Sequence, residues 1–157
     1  MKNLHLIALF AAACGVSTPA MAQSFTFDMT WEPVEAVGGI SSPEGPRGGG
    51  GTVKGTYVAK SDDGTATNGT VYCVGIDQPD NSFFAIHLSC NSKDTQGAYT
   101  SAWGCNYLGK RGPETPLGCV GSIEVKGGEA NGQRGVMTMH WYSDAKAKGT
   151  GQWYTSQ

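Results

Sequence analysis

The chain is short of charge. Lys, Arg, Asp and Glu make up only 15% of its 157 residues, with 11 basic side chains against 13 acidic ones. That balance cannot hold a phosphate backbone and argues against nucleic acid as a partner. Histidine is scarcer still: three in all, His5, His87 and His140, with no His-x-x-x-His or Cys-x-x-Cys spacing beside them. No metal site is expected from such a set. Recognisable catalytic patterns are missing too. There is no Gly-x-Ser-x-Gly elbow, and the glycine run Gly48–Gly51 lacks the Gly-Lys-Ser/Thr ending of a phosphate loop. Asp62-Asp63-Gly64 lacks the alternating acidic ligands of a calcium loop and reads as a turn. No catalytic residue and no cofactor can therefore be assigned. Sustained helical periodicity is absent, and beyond residue 22 no run is apolar for long enough to span a bilayer as a helix.

What the chain does have begins with its first 22 residues. Lys2 gives a positive start, Leu4 to Val16 is mostly apolar, Thr18-Pro19 breaks the run, and Ala20-Met21-Ala22 forms a small-x-small cleavage site. The expectation is an export signal removed before Gln23, and a periplasmic or secreted protein. Cys14 reads as filler of the apolar run and not as a lipid anchor, because Ala11-Ala12-Ala13 lacks the upstream Leu of lipoprotein signals. The remaining 135 residues suit one domain, residues 23–157, with 10 basic against 13 acidic side chains and 23 of the 24 glycines.

That part of the chain alternates. Phe25, Phe27, Met29 and Trp31 share one face of a strand, with Thr26, Asp28, Thr30 and Glu32 on the other. Val34 to Gly51, rich in Gly, Pro and Ser, reads as a long loop, and Asn68-Gly69 as a turn (its match to a glycosylation sequon notwithstanding). Further strands are expected at about 51–60, 70–76, 82–90, 98–106, 118–125, 134–142 and 149–155. Eight short strands with many glycine turns predict an all-β fold, a single closed antiparallel barrel that leaves no exposed sheet edge.

Four cysteines remain after residue 22, and sequence alone allows three pairings. Turn symmetry chooses among them. Cys73 and Cys90 are equidistant from Asn81-Ser82, and Cys105 and Cys119 from Gly112. Residues equidistant from a hairpin turn lie opposite each other, which predicts Cys73–Cys90 and Cys105–Cys119 in an oxidising compartment. Parity then sets the inside: Phe84, Ile86 and Leu88 with Cys90; Tyr99, Ser101 and Trp103 with Cys105; Ile123 and Val125 with Cys119; and Met137, Met139 and Trp141. Inward Asp or Glu is scarce on this reading. His87 and His140 fall outside.

The aromatic set Trp31, Tyr99, Trp103 and Trp141 is the candidate ligand-binding wall. The same rings also suit a filled core, since an eight-stranded barrel either packs its interior or holds one small ligand. Inward glycines such as Gly75, Gly121 and Gly151 either leave room for that ligand or only permit bending. The segments Gly104-Cys105-Asn106-Tyr107-Leu108, Gly118-Cys119-Val120-Gly121, Gly132-Gln133-Arg134-Gly135 and Gly149-Thr150-Gly151-Gln152-Trp153 resemble small exported bacterial proteins related to the allene oxide cyclase and dirigent barrels. The resemblance covers the C-terminal half and implies an eight-stranded antiparallel barrel, a small apolar cavity and a possible homo-oligomer. No cyclase residue maps onto a position here, so no activity carries over. The Trp- and Gly-rich strands are also similar to avidin-like barrels. Three functions follow for test: a binder of a small apolar or aromatic molecule, an isomerase- or cyclase-type enzyme, and a structural or interaction protein with a filled core. The Gly48–Gly51 segment is expected to cover one mouth.

Overall fold

A computed structural model describes residues 23–40, 47–142 and 145–154. The export segment with Cys14, and the end of the expected last strand at Thr155, lie outside the described residues. Nine strands follow in order: β1 (Ser24–Trp31), β2 (Glu35–Ile40), β3 (Arg47–Ser61), β4 (Ala66–Asp77), β5 (Ile86–Asp94), β6 (Ala98–Tyr107), β7 (Leu117–Lys126), β8 (Arg134–Trp141) and β9 (Lys146–Trp153). There are no helices among them. From β3 to β9 each strand pairs antiparallel with the next, and β1 pairs with both β9 and β3. The ring is a closed eight-stranded antiparallel barrel. β2 is an extra strand, held only by β3.

The segment read from sequence as a loop at 34–51 is thus corrected in its described part: it holds β2 and the start of β3. The glycines there serve close pairing. A Cβ at Gly51 would sit 2.9 Å from the Glu35 carbonyl oxygen, and Gly48 adopts φ 66°, a region that favours glycine. Asn68-Gly69 is corrected as well, from turn to strand β4. Gly69 stands directly opposite Tyr57, and a Cβ there would run into the phenol ring. The strand expected from Ser82 begins only at Ile86. Ala85 instead turns back on the barrel, its N–H donating to Asn106 Oδ1 (2.9 Å) and Cys105 O (3.0 Å), and Phe83 is left 85% exposed.

Both disulfides form, Cys73–Cys90 and Cys105–Cys119, each between directly paired residues and each buried. The expected inside is the inside from Ile86 onward, with one correction: Phe84 precedes the strand, lies on the outer face over Gly104, and its ring is 5.7 Å from that of His87. Phe27, Trp31, Leu88 and Met139 are buried, Ile86 packs against them, and His87 points outward to solvent. His140 also lies on the outer side, half-covered by the Tyr142 ring stacked 4.2 Å from it.

The inward glycines neither leave a wide lumen nor mark corners. Each faces a large side chain on the neighbouring strand at the directly paired position: Gly151 faces Phe25, Gly149 Phe27, Gly55 Trp31, Gly121 Trp103, Gly75 Leu88 and Gly135 Trp153. The rings and the Leu88 side chain lie across the glycine backbones, so that a Cβ at any of these glycines would meet them. Large-against-absent pairing fills the narrow barrel at close packing without distorting its strands.

Candidate functional site

Two recesses lie in the barrel, one toward each end. The first lies at the end that carries the β3–β4 and β5–β6 turns. Its volume is about 90 Å³. Phe25, Phe27, Trp103, Met137 and Trp153 form apolar walls, with Trp153 5.4 Å from Phe25 and 6.3 Å from Tyr99 between ring centroids. The Trp103 indole N–H donates to Ser101 Oγ at 3.1 Å.

Asp94, the last residue of β5, supplies the only charge in this lining. Alternation places it inside, two steps beyond Ser92 and four beyond Cys90. The Tyr57 hydroxyl donates to Asp94 Oδ2 at 2.9 Å, and the Tyr99 hydroxyl to Oδ1 at 3.2 Å. The backbone N–H groups of Gln96 and Gly97 donate to the same Oδ1 at 2.7 and 3.0 Å. The β5–β6 turn therefore holds the carboxylate, and the carboxylate holds two phenols from different strands. Burial, then the hydrogen bond to Asp94 and its charge, push the Tyr57 phenol well above its ordinary value. Burial and the same carboxylate push Tyr99 up to about 12. Both hydroxyls stay protonated donors at any physiological pH.

The second recess, at the opposite end, measures about 280 Å³. Gly49–Gly51 form part of its wall as strand, where a covering loop was expected. Its charges are satisfied within the protein. Arg111 pairs with Asp77 at 2.6 Å and lies 5.2 Å over the Tyr107 ring. Burial raises the Tyr107 phenol against the opposing pull of Arg111. Though larger, this recess is the weaker candidate, because its opposed charges, Arg111 and Asp77, are already joined to each other.

The four aromatic residues picked from sequence do not converge on one site. Tyr99 and Trp103 line the first recess. Trp31 lines it from below and stacks on Trp141 at 4.7 Å. Trp141 itself faces the second recess. Sequence reasoning missed Asp94, Tyr57 and Trp153. The signal for Asp94 was there: the inward parity of Leu88 and Cys90, carried on past the disulfide, reaches Ser92 and Asp94. Among the described residues no three of His, Cys, Asp or Glu gather as a metal site, and no helix is long and apolar enough to cross a membrane. No family model, no curated protein and no solved structure matches the chain, so its functional reading rests on this geometry.

Proposed function

We propose that this is an exported barrel of the kind it resembles, the allene oxide cyclase- and dirigent-like barrels, and that it binds one small apolar or aromatic molecule in the Asp94–Tyr99 recess. One observation carries the reading: an aromatic-walled hollow at a barrel mouth with a few convergent, oriented polar groups, the arrangement typical of small-ligand sites. The size of the hollow limits the ligand. About 90 Å³ is less than the roughly 150 Å³ apolar cavity that takes up benzene, so the hollow admits one ring at most and the rest of the molecule stays at the mouth. The two disulfides support the export part of the reading, since such bonds persist outside the reducing cytosol.

The test is saturable quenching of tryptophan emission by a panel of single-ring aromatic compounds, repeated with Trp103→Phe. The variant keeps a ring over Gly121 and should weaken binding several-fold while the barrel still folds, its unfolding midpoint lowered modestly by the lost indole packing. A panel without one saturable signal removes the reading in favour of a filled-core structural protein. The enzyme alternative draws on Asp94, the carboxylate that the Tyr57 and Tyr99 hydroxyls hold at the recess as a candidate general base. Turnover of a bound compound that Asp94→Asn abolishes would establish it.

A further inference from the structure

The chemistry of the first recess specifies the sign of its ligand. Three observations bear on this. Asp94 makes no ion pair among the described residues, and the lining of the recess contains no Lys, Arg or His. All four groups that bind the carboxylate are neutral donors, so its negative charge is oriented but not cancelled. Second, these donors are divided unequally. Oδ1 accepts from Tyr99, Gln96 and Gly97, whereas Oδ2 accepts from Tyr57 alone. Each carboxylate oxygen offers about two good acceptor positions; Oδ1, with three donors, is crowded, whereas Oδ2, with one, has a position for a further donor. Third, the surfaces next to that oxygen are aromatic: Tyr57 and Tyr99 with Trp153 behind Tyr99. Ring faces attract cations.

An anionic ligand would meet an uncancelled like charge here, and a neutral one would forgo the strongest contact the recess offers. We infer that the recess selects an aryl-alkyl ammonium ion, with its ring lodged toward Trp103 and its N–H donated to Asp94 Oδ2. This deepens the small-ligand reading and rests on it. The second recess has no such preference, because Arg111 already answers Asp77.

The experiment uses the mature, disulfide-bonded chain and three compounds of one shape: 2-phenylethylamine, 2-phenylethanol and phenylacetate, each titrated by calorimetry near neutral pH. The expected order is amine, then alcohol, then acid, with the amine tighter than the alcohol by about ten-fold, as one charge-assisted hydrogen bond supplies. Asp94→Asn retains an oxygen for the Gln96 and Gly97 amides. It should bring the amine down to the alcohol's affinity and leave the alcohol where it was. Equal affinity of amine and alcohol overturns the cation preference while leaving the recess a ligand site. Binding of the acid ahead of the amine, or an amine advantage that survives Asp94→Asn, overturns it too. Failure of all three compounds to bind overturns the small-ligand reading beneath it. Should Asp94→Asn not fold, the order of the three compounds on the native chain decides alone.

Discussion

Single side chains on adjacent positions of β5 play opposite parts. Leu88 is buried across Gly75, and His87, one residue before it, faces water. Leu88→Ala should cost about 2–5 kcal/mol through lost burial and the cavity left behind, and His87→Ala less than about 0.5 kcal/mol as a surface change; denaturant unfolding of the two variants compares them. Tyr57 and Tyr99 give the protein an alkaline limit. Their folded-state phenols are raised above the ordinary value of 10.0, Tyr99 to about 12 and Tyr57 further. Below pH 10 both are protonated in either state and their contribution is complete. Above it the unfolded chain loses these protons first, so stability falls as pH rises from 10 through the folded-state values. Unfolding midpoints measured across that range should drop, and the drop should be shallower in Tyr57→Phe. A midpoint equally pH-dependent in that variant would assign the loss to other groups.

The strands show how far a sequence of this kind can be read. Period-two alternation and turn symmetry were enough for the barrel, both disulfides and the inward faces within the strands, because each depends on spacing alone; Phe84 was misplaced because it stands before β5 begins. Glycine defeated the local reading. In the stretch 34–51 and at Gly69 its density signals looseness or a turn, whereas its use here is to receive something from the next strand: the β2 backbone at Gly51, the Tyr57 ring at Gly69. That purpose lives in the partner strand, and no window along one strand contains it. The site was lost in the same manner. Ending β5 at its cysteine hid Asp94, and without Asp94 nothing drew Tyr57 and Tyr99 together. If the glycines are receptors for rings, Gly121→Ala should be costly. Its Cβ would lie 2.6 Å from both the Ala102 carbonyl oxygen and Trp103 Cε3, and overpacking of this sort costs about 1–3 kcal/mol. Gly109→Ala, where the nearest atom is an ordinary 3.5 Å away, should be close to neutral. Thermal melts of the two variants make the comparison.

At the scale of the whole molecule, the disulfides staple two neighbouring hairpins, their cysteines 17 and 14 positions apart. The chain-entropy account gives each closed loop of that size about 3 kcal/mol. Reduction should therefore lower the unfolding midpoint substantially, and loss of either pair by double Cys→Ala substitution should recover about half of that effect. Mass spectrometry of exported protein should find the chain starting at Gln23; an intact Met1 would contradict the export reading. Neither staple touches the seam. The barrel closes where Ser24 of β1 meets Gln152 of β9, the first strand against the last. Contacts so distant along the chain form slowly, and this one cannot form at all until the final strand has been made and delivered. Until then β8 and one side of β1 are bare edges, open to any strand that comes by. A barrel joined at its two extremes thus remains an open ribbon until its last residues are in place, and a chain cut short before Lys146 lacks the strand that closes the ring.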